Sequence, residues 1–319
     1  MDSNLLISVS QVEAWKQFAY YRLKNKYGKV ITFSRWCKIF YKYHVEYLNT
    51  DQNKQQVHAN LVSGFVNDTA LKFGGDSKNV VEIFNKAHGD IYSGYELINM
   101  DRLCDYIPTR MKNRLMEQAD ENSFKNLVAR YHLLGTSNGL FLSIDKDVYV
   151  FLKRSSKFPL LECYASPFNH NLDEYCSVYN QDDIYGSLGR FEEYIDKLYK
   201  PVRLCLNPPY IDSIIDIAIN KTLAYMKRCR GEFIAMLPYT TTPSEAMQSL
   251  FQYKNTYSIL MEGETYTLHN FLLERDITAP MKLYIICNIE NSLELSQQCA
   301  ESIVKYLELK AVNLKGKCH

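Results

Sequence analysis

The stretch Val202-Arg203-Leu204-Cys205-Leu206-Asn207-Pro208-Pro209-Tyr210 runs from an apolar segment straight into two prolines. Val202 to Leu206 reads as the end of a buried strand, and the diproline, with φ fixed, makes a rigid loop after it. Outward from this point the C-terminal half alternates. Residues 158–164, 232–237, 257–262 and 281–288 read as strands; residues 171–179, 211–228, 244–253 and 293–307 read as helices. Repeated strand–helix units predict an α/β fold, a mostly parallel sheet with helices on both faces. Ligands of such sheets bind beyond the carboxyl ends of the strands, and residues 162–169 and 207–210 both fall at such ends.

Residues 1–155 read as a mostly helical domain and residues 156–319 as the sheet domain. Residues 12–20 carry apolar side chains at helical spacing with Ser10 as N-cap, and residues 36–48 show the same spacing. Gly74-Gly75-Asp76 marks a loop, residues 80–87 a short helix, and Pro108 interrupts residues 101–116. A further helix over residues 122–134 ends near Gly135.

With 319 residues and 46% hydrophobic content, the chain fits one large or two modest globular domains. No apolar run suits a membrane-spanning helix and the first residues carry no signal-peptide pattern. The expectation is a soluble intracellular protein of nucleus or cytoplasm. The nine cysteines form no C-x-x-C pair, which argues for buried thiols rather than a disulfide frame or zinc site; no metal is expected. A net charge of +1 argues against extensive contact with duplex nucleic acid. Arg22, Lys24, Lys26, Lys29, Arg35, Lys38 and Lys42 cluster among aromatic residues, but such a cluster is most simply a solvated helix face.

The residue types at 207–210 suit one chemical problem. The exocyclic amine of adenine or cytosine is a poor nucleophile because its lone pair is delocalised into the ring. The Asn207 amide oxygen and the Pro208 carbonyl can accept both amino hydrogens, which draws the nitrogen toward tetrahedral geometry. The prolines hold these acceptors in place beforehand. Tyr210 offers a face on which a base can stack. Asn207, Pro208, Pro209 and Tyr210 are therefore the candidate catalytic residues. At the other strand end, Ala165 and Ser166 are small enough to let the methionine part of S-adenosylmethionine approach the backbone. Glu162 or Asp183 is the candidate carboxylate for its ribose hydroxyls or ammonium group. The usual glycine-rich G-x-G loop is absent, and Asp183-Ile184-Tyr185-Gly186-Ser187-Leu188-Gly189 forms a second small-residue loop.

In this order the blocks resemble the phosphorylated-CTD-interacting factor family, the cap-specific adenosine N6-methyltransferases of eukaryotes and their viral and protist relatives. The family's E-C-F-A-S-P-x-N reads here as Glu162 to Asn169. Its Q-Y-C-S-x-F and D-x-Y-F-G-S-x-G read as Glu174 to Tyr179 and Asp183 to Gly189, and its N-P-P-F as Asn207 to Tyr210. The resemblance covers about residues 158–290. It is only topological in the N-terminal half, where the family has a helical domain that helps hold the cap. It implies a class I SAM-dependent methyltransferase (Rossmann-like) sheet, S-adenosyl-L-methionine as cofactor and capped mRNA as partner. The implied reaction is methyl transfer to N6 of adenosine at the first transcribed nucleotide, next to the 7-methylguanosine cap.

Carried over, Glu162, Ala165, Ser166, Pro167, Asn169, Gly186 and Ser187 would line the cofactor pocket. His269, in a segment read as a loop between strands, falls where the family bears aromatic and histidine residues and is a candidate substrate contact beside Tyr210. Tyr210 replaces the family's Phe, and Leu237-Pro238-Tyr239 stands where the family tends to have Ile-Pro-Glu-Trp. Trp15 and Trp36 stand 21 residues apart but lack the neighbours of a WW domain, so the chain reads as a compact member without one. The alternatives are a DNA or internal-RNA adenine N6-methyltransferase, or a catalytically inactive cap-binding or scaffold relative.

Overall fold

A computed structural model describes residues 3–28, 31–50, 55–91, 100–133, 142–144, 146–261, 266–270, 275–279 and 282–315. The chain divides into two compact units, Met1–Leu140 and Phe141–His319. The division falls earlier than the expected residue 155, because the helix over residues 146–155 adds Val148, Tyr149 and Leu152 to a core shared with the sheet.

The first unit is helical: α1 (Ser3–Tyr27), α2 (Phe33–Asn49), α3 (Gln55–Phe73), α4 (Ser77–Ile91), α5 (Met100–Asp105), α6 (Thr109–Met116) and α7 (Glu121–Leu133). α1 runs on through Ser10, which therefore does not cap it. Thr32 does cap α2, its side chain accepting from Arg35 N at 3.3 Å. α3 has no counterpart in the sequence expectations; it exposes Val62 and Leu71, so its apolar residues trace no clean stripe. Gly135 lies outside the described residues. The two tryptophans sit in helices within one aromatic cluster, Trp15 against Phe84 at 4.9 Å and against Trp36 at 6.4 Å between ring centroids. Their indole N–H groups donate to Phe84 O and Lys16 O. Tyr20, Trp36, Phe40 and Tyr41, interleaved with the basic cluster, are buried core rather than a stacking surface.

The second unit holds β1 (Leu142–Ile144), α8 (Lys146–Ser155), β2 (Leu160–Ala165), β3 (Tyr175–Ser177), α9 (Phe191–Tyr194) and β4 (Arg203–Leu206). It continues with α10 (Asp212–Arg228), β5 (Glu232–Pro238), α11 (Glu245–Phe251), β6 (Tyr257–Met261), β7 (Tyr266–Asn270), β8 (Arg275–Ala279), β9 (Leu283–Asn288) and α12 (Leu293–Lys315). Six strands form a mixed, mostly parallel sheet in the order β3-β2-β4-β5-β9-β6, with β9 alone reversed. This arrangement is compatible with a Rossmann-like fold. β1, β7 and β8 make a separate antiparallel sheet in the order β1-β7-β8.

Two further sequence expectations are corrected. Residues 171–179 are not a helix: Tyr175–Ser177 pair with β2, and a short 3-10 helix follows over Asn180–Tyr185. All three β3 residues are buried, so tertiary pairing overrides the helical reading. Residues 266–270, read as a loop, are the central strand of the small sheet.

Alternation along β5 sends Phe233, Ala235 and Leu237 to one layer, with Ile215 and Ile219 of α10 and Leu250 of α11. It sends Ile234 and Met236 to the other, with Leu152 of α8 and Ile303 of α12. At the amino ends of β4 and β5, Arg203 Nε meets Glu232 Oε2 at 2.5 Å, both side chains fully buried. Arg203 also donates to the Leu152 and Ser155 carbonyls, which ties the end of α8 to the sheet. The described cysteines are buried and none is in a disulfide. No described helix is long and apolar enough to cross a membrane.

Candidate active site

The chain leaves β2 to form β3 on one side and returns to form β4 on the other. The topological switch point of the sheet therefore lies between β2 and β4, where residues 166–174 and 207–211 emerge from their carboxyl ends. The loop after β3 carries the Gly186-Ser187 block, so three blocks remote in sequence leave three adjacent parallel strands.

In the diproline loop Pro208 is buried, while Asn207, Pro209 and Tyr210 are half-buried. Ile211 N donates to Pro209 O at 2.7 Å, a tight turn that launches α10. Among the described residues no hydrogen bond reaches the Pro208 carbonyl. The Tyr210 hydroxyl donates to Asn207 Oδ1 at 3.4 Å, a long contact, and its ring packs on the layer that contains α8 and α12. Asn207 and Pro208 thus place an amide and a main-chain carbonyl directly after the end of β4.

After β2, the chain turns on Ser166. Its hydroxyl donates to Asn169 Oδ1 at 2.8 Å and accepts from Phe168 N at 3.2 Å, while Asn169 N and His170 N both donate to its carbonyl. Ser166, Pro167 and Asn169 are buried, as is Ala165. The polar groups of Ser166 and Asn169 build the turn.

Glu162 is buried in mid-strand, and its Oε2 accepts from Asn171 N at 2.7 Å and Leu172 N at 3.1 Å, with Tyr149 of α8 as a side-chain partner. Asn171 Nδ2 reaches Ser143 Oγ of β1 at 2.6 Å. Glu162 therefore clasps the loop beneath the turn, and its carboxylate is engaged within the protein. Burial raises its pKa to about 7, although the two N–H donors and Tyr149 pull the other way. Sequence reasoning missed Asn171 in this clasp, since residues 171–179 read as a helix, and Tyr149, since residues 1–155 read as a separate domain.

Asp183 is exposed, with Oδ1 accepting from Ile184 N at 2.8 Å. Gly186 adopts φ +83 and Gly189 φ +85, conformations that favour glycine. A Cβ built on Gly186 would meet nothing within 4 Å, so open space lies beside it. The Ser187 hydroxyl sits 2.7 Å from that of Ser177 on β3. His269 lies on β7, in register with Ser143 on one side and Asp276 on the other; its side chain is outside the described residues. Its strand neighbours β1, which holds the Asn171 clasp. Among the described residues no group of three His, Cys, Asp or Glu could hold a metal ion.

The sequence model described as "Phosphorylated CTD interacting factor 1 WW domain" matches residues 108–269, just over half of the chain. The match includes every candidate site residue. It contains no tryptophan, since both lie upstream, so the matched stretch holds the strand-end blocks and no WW unit. No curated protein matches the chain.

Proposed function

The chain belongs to the phosphorylated CTD interacting factor 1 family, and on that premise we propose that it is a class I SAM-dependent methyltransferase. Its reaction would be N6-methylation of the first transcribed adenosine next to the cap of mRNA. One observation carries the reading: three blocks of the family pattern leave adjacent parallel strands, and two oxygens, Asn207 Oδ1 and Pro208 O, stand at the switch point between two of them.

The residues fit S-adenosylmethionine. Gly186 opens onto free space, Asp183 is an exposed carboxylate beside it, and Ala165 is a small residue at the end of β2. Asp183 would hold the ribose hydroxyls or ammonium group, and the Gly186-Ser187 and Ala165-Ser166 backbones would flank the cofactor. Bound there, S-adenosylmethionine supplies an electrophilic methyl group. The chain's own work is on the amine. Asn207 and Pro208 accept its two hydrogens and localise the lone pair on nitrogen. The diproline keeps both oxygens aimed before substrate arrives, so little reorganisation opposes the reaction. Tyr210 stacks the base. N-methylation makes the nitrogen more acidic, so its proton passes to water without a strong base. Glu162 acts from below, by holding the loop that carries Ser166 to Leu172.

A methyl-transfer assay on capped RNAs that differ only in the first nucleotide, read by nucleoside analysis, tests this. The expected product is N6-methyladenosine from the A-starting RNA alone. Equal methylation of internal adenines or of duplex DNA would transfer the reading to another substrate, and no product from any of them would end it.

A further inference from the structure

The carboxyl end of β5 carries an aromatic–cation pair that has no part in the chemistry at Asn207. Tyr239, the residue after β5, is 40% exposed and follows Pro238 at the strand end. Its backbone N–H donates to Lys282 O at 3.0 Å, which fixes the two residues opposite each other where β5 and β9 begin to pair. Lys282 Nζ stands 5.5 Å from the centre of the Tyr239 ring. Tyr284, two residues along β9, lies 5.8 Å from it and is itself wedged against Phe251 at 5.1 Å. The Tyr239 ring thus rests against Tyr284, which Phe251 supports in turn. The exposed Thr241 and Thr242 continue the rim.

The register relates this pair to the site. Leu206 pairs with Ala235, so Asn207 begins one residue past that level and Tyr239 lies four past it. At about 3.3 Å per residue and about 4.8 Å between strands, the two are roughly 11 Å apart. That is the reach of a neighbouring nucleotide. A flat ring joined to an ammonium group is the pairing that proteins use on single-stranded nucleic acid, the ring for a base and the cation for a phosphate.

The charge selects which neighbour. A 7-methylguanine base is cationic, and Lys282 beside the ring would repel it. An ordinary neutral base with its phosphodiester is attracted by both parts. We infer that Tyr239 and Lys282 form a subsite for the nucleotide 3′ of the methylated adenosine, Tyr239 stacking its base and Lys282 meeting its phosphate. The inference rests on the proposed function for the identity of the held adenosine.

Two substrates separate the inference from that reading: the bare cap dinucleotide ending in adenosine, and the same cap on a five-nucleotide RNA. The subsite predicts that Tyr239→Ala weakens binding of the longer RNA about tenfold, measured by fluorescence anisotropy, and leaves turnover of the dinucleotide unchanged. Tyr239→Phe restores binding, because stacking needs no hydroxyl. Lys282→Gln lowers the slope of log affinity against log salt by about 0.7, one phosphate's worth on a single strand. Unaltered affinity in Tyr239→Ala overturns the subsite, and so does an equal loss on both substrates, which marks a structural role. Failure of the wild type to methylate either substrate strikes the proposed function instead, while the anisotropy series still decides the subsite.

Discussion

The helical unit and the sheet unit draw on the same aromatic-rich composition and treat their polar groups differently. In the helical unit polar atoms of aromatic side chains close onto backbone carbonyls, as Trp15, Trp36 and Tyr20 do. His44 is an exception: stacked on Phe40 at 4.8 Å, it has no hydrogen-bond partner for Nε2 among the described residues. In the sheet unit polar side chains close onto loops at strand ends, as Glu162 and Ser166 do. A core of rings tolerates many orders of residue, whereas a strand-end clasp demands particular ones. The family match takes in the last two helices of the helical unit and all the strand-end blocks of the sheet unit, and leaves out the aromatic cluster around Trp15 and Trp36.

The largest effect that separates the units is at the buried ion pair. Arg203→Ala leaves Glu232 charged and unpaired in the core, which costs about 3–5 kcal/mol. Both tryptophans lie in the helical unit. Their fluorescence in a urea titration should keep its midpoint, while circular dichroism shows a part of the chain unfolding earlier. Equal shifts by both probes would mean that the two units unfold as one.

The pH dependence should run in opposite directions. Glu162 has its pKa raised from 4.5 to about 7 by burial. Between those values the folded state holds a proton that the unfolded chain has lost, so this contribution is full below about 4.5 and disappears as pH rises through 7. His44 has its pKa lowered from 6.5 to about 4, by burial and then by the nearby Lys16 charge. Its contribution is full above about 6.5 and disappears as pH falls through 4. Each is worth up to about 3 kcal/mol. Melts at pH 5 and pH 7.5 should show Glu162→Gln flattening the loss on the alkaline side and His44→Phe flattening the loss on the acid side. Identical profiles for a variant and the wild type would remove that group from the comparison.

The smallest effect is at Tyr210. Its hydroxyl contact with Asn207 is long, and phenylalanine keeps the ring. Tyr210→Phe should change turnover by no more than about threefold. A large loss would make the hydroxyl a working part of the site.

The sequence was most legible where residue type answers directly to chemistry or to strand burial. The apolar run before Asn207, the parallel sheet and the strand-end position of the blocks all follow from Val202 to Tyr210 and from the strand–helix alternation. Less was legible where tertiary contacts decide. β3 is three residues long, too short for a periodic signal, and exists because it pairs with β2. β7 likewise depends on its pairing, flanked by β1 and β8. Glu162 reads as a free carboxylate until Asn171 and Leu172 fold back over it. Lys282 carries no local signal, since its meaning comes from the strand opposite.

The amide of Asn207 offers the most direct test of the proposed chemistry. Single-turnover methyl transfer to A-starting capped RNA, measured together with S-adenosylmethionine affinity by calorimetry, tests it in wild type and Asn207→Ala. The expected result is a rate lower by about 10²–10³ with cofactor affinity unchanged. A variant that transfers methyl within a few fold of the wild-type rate would contradict it.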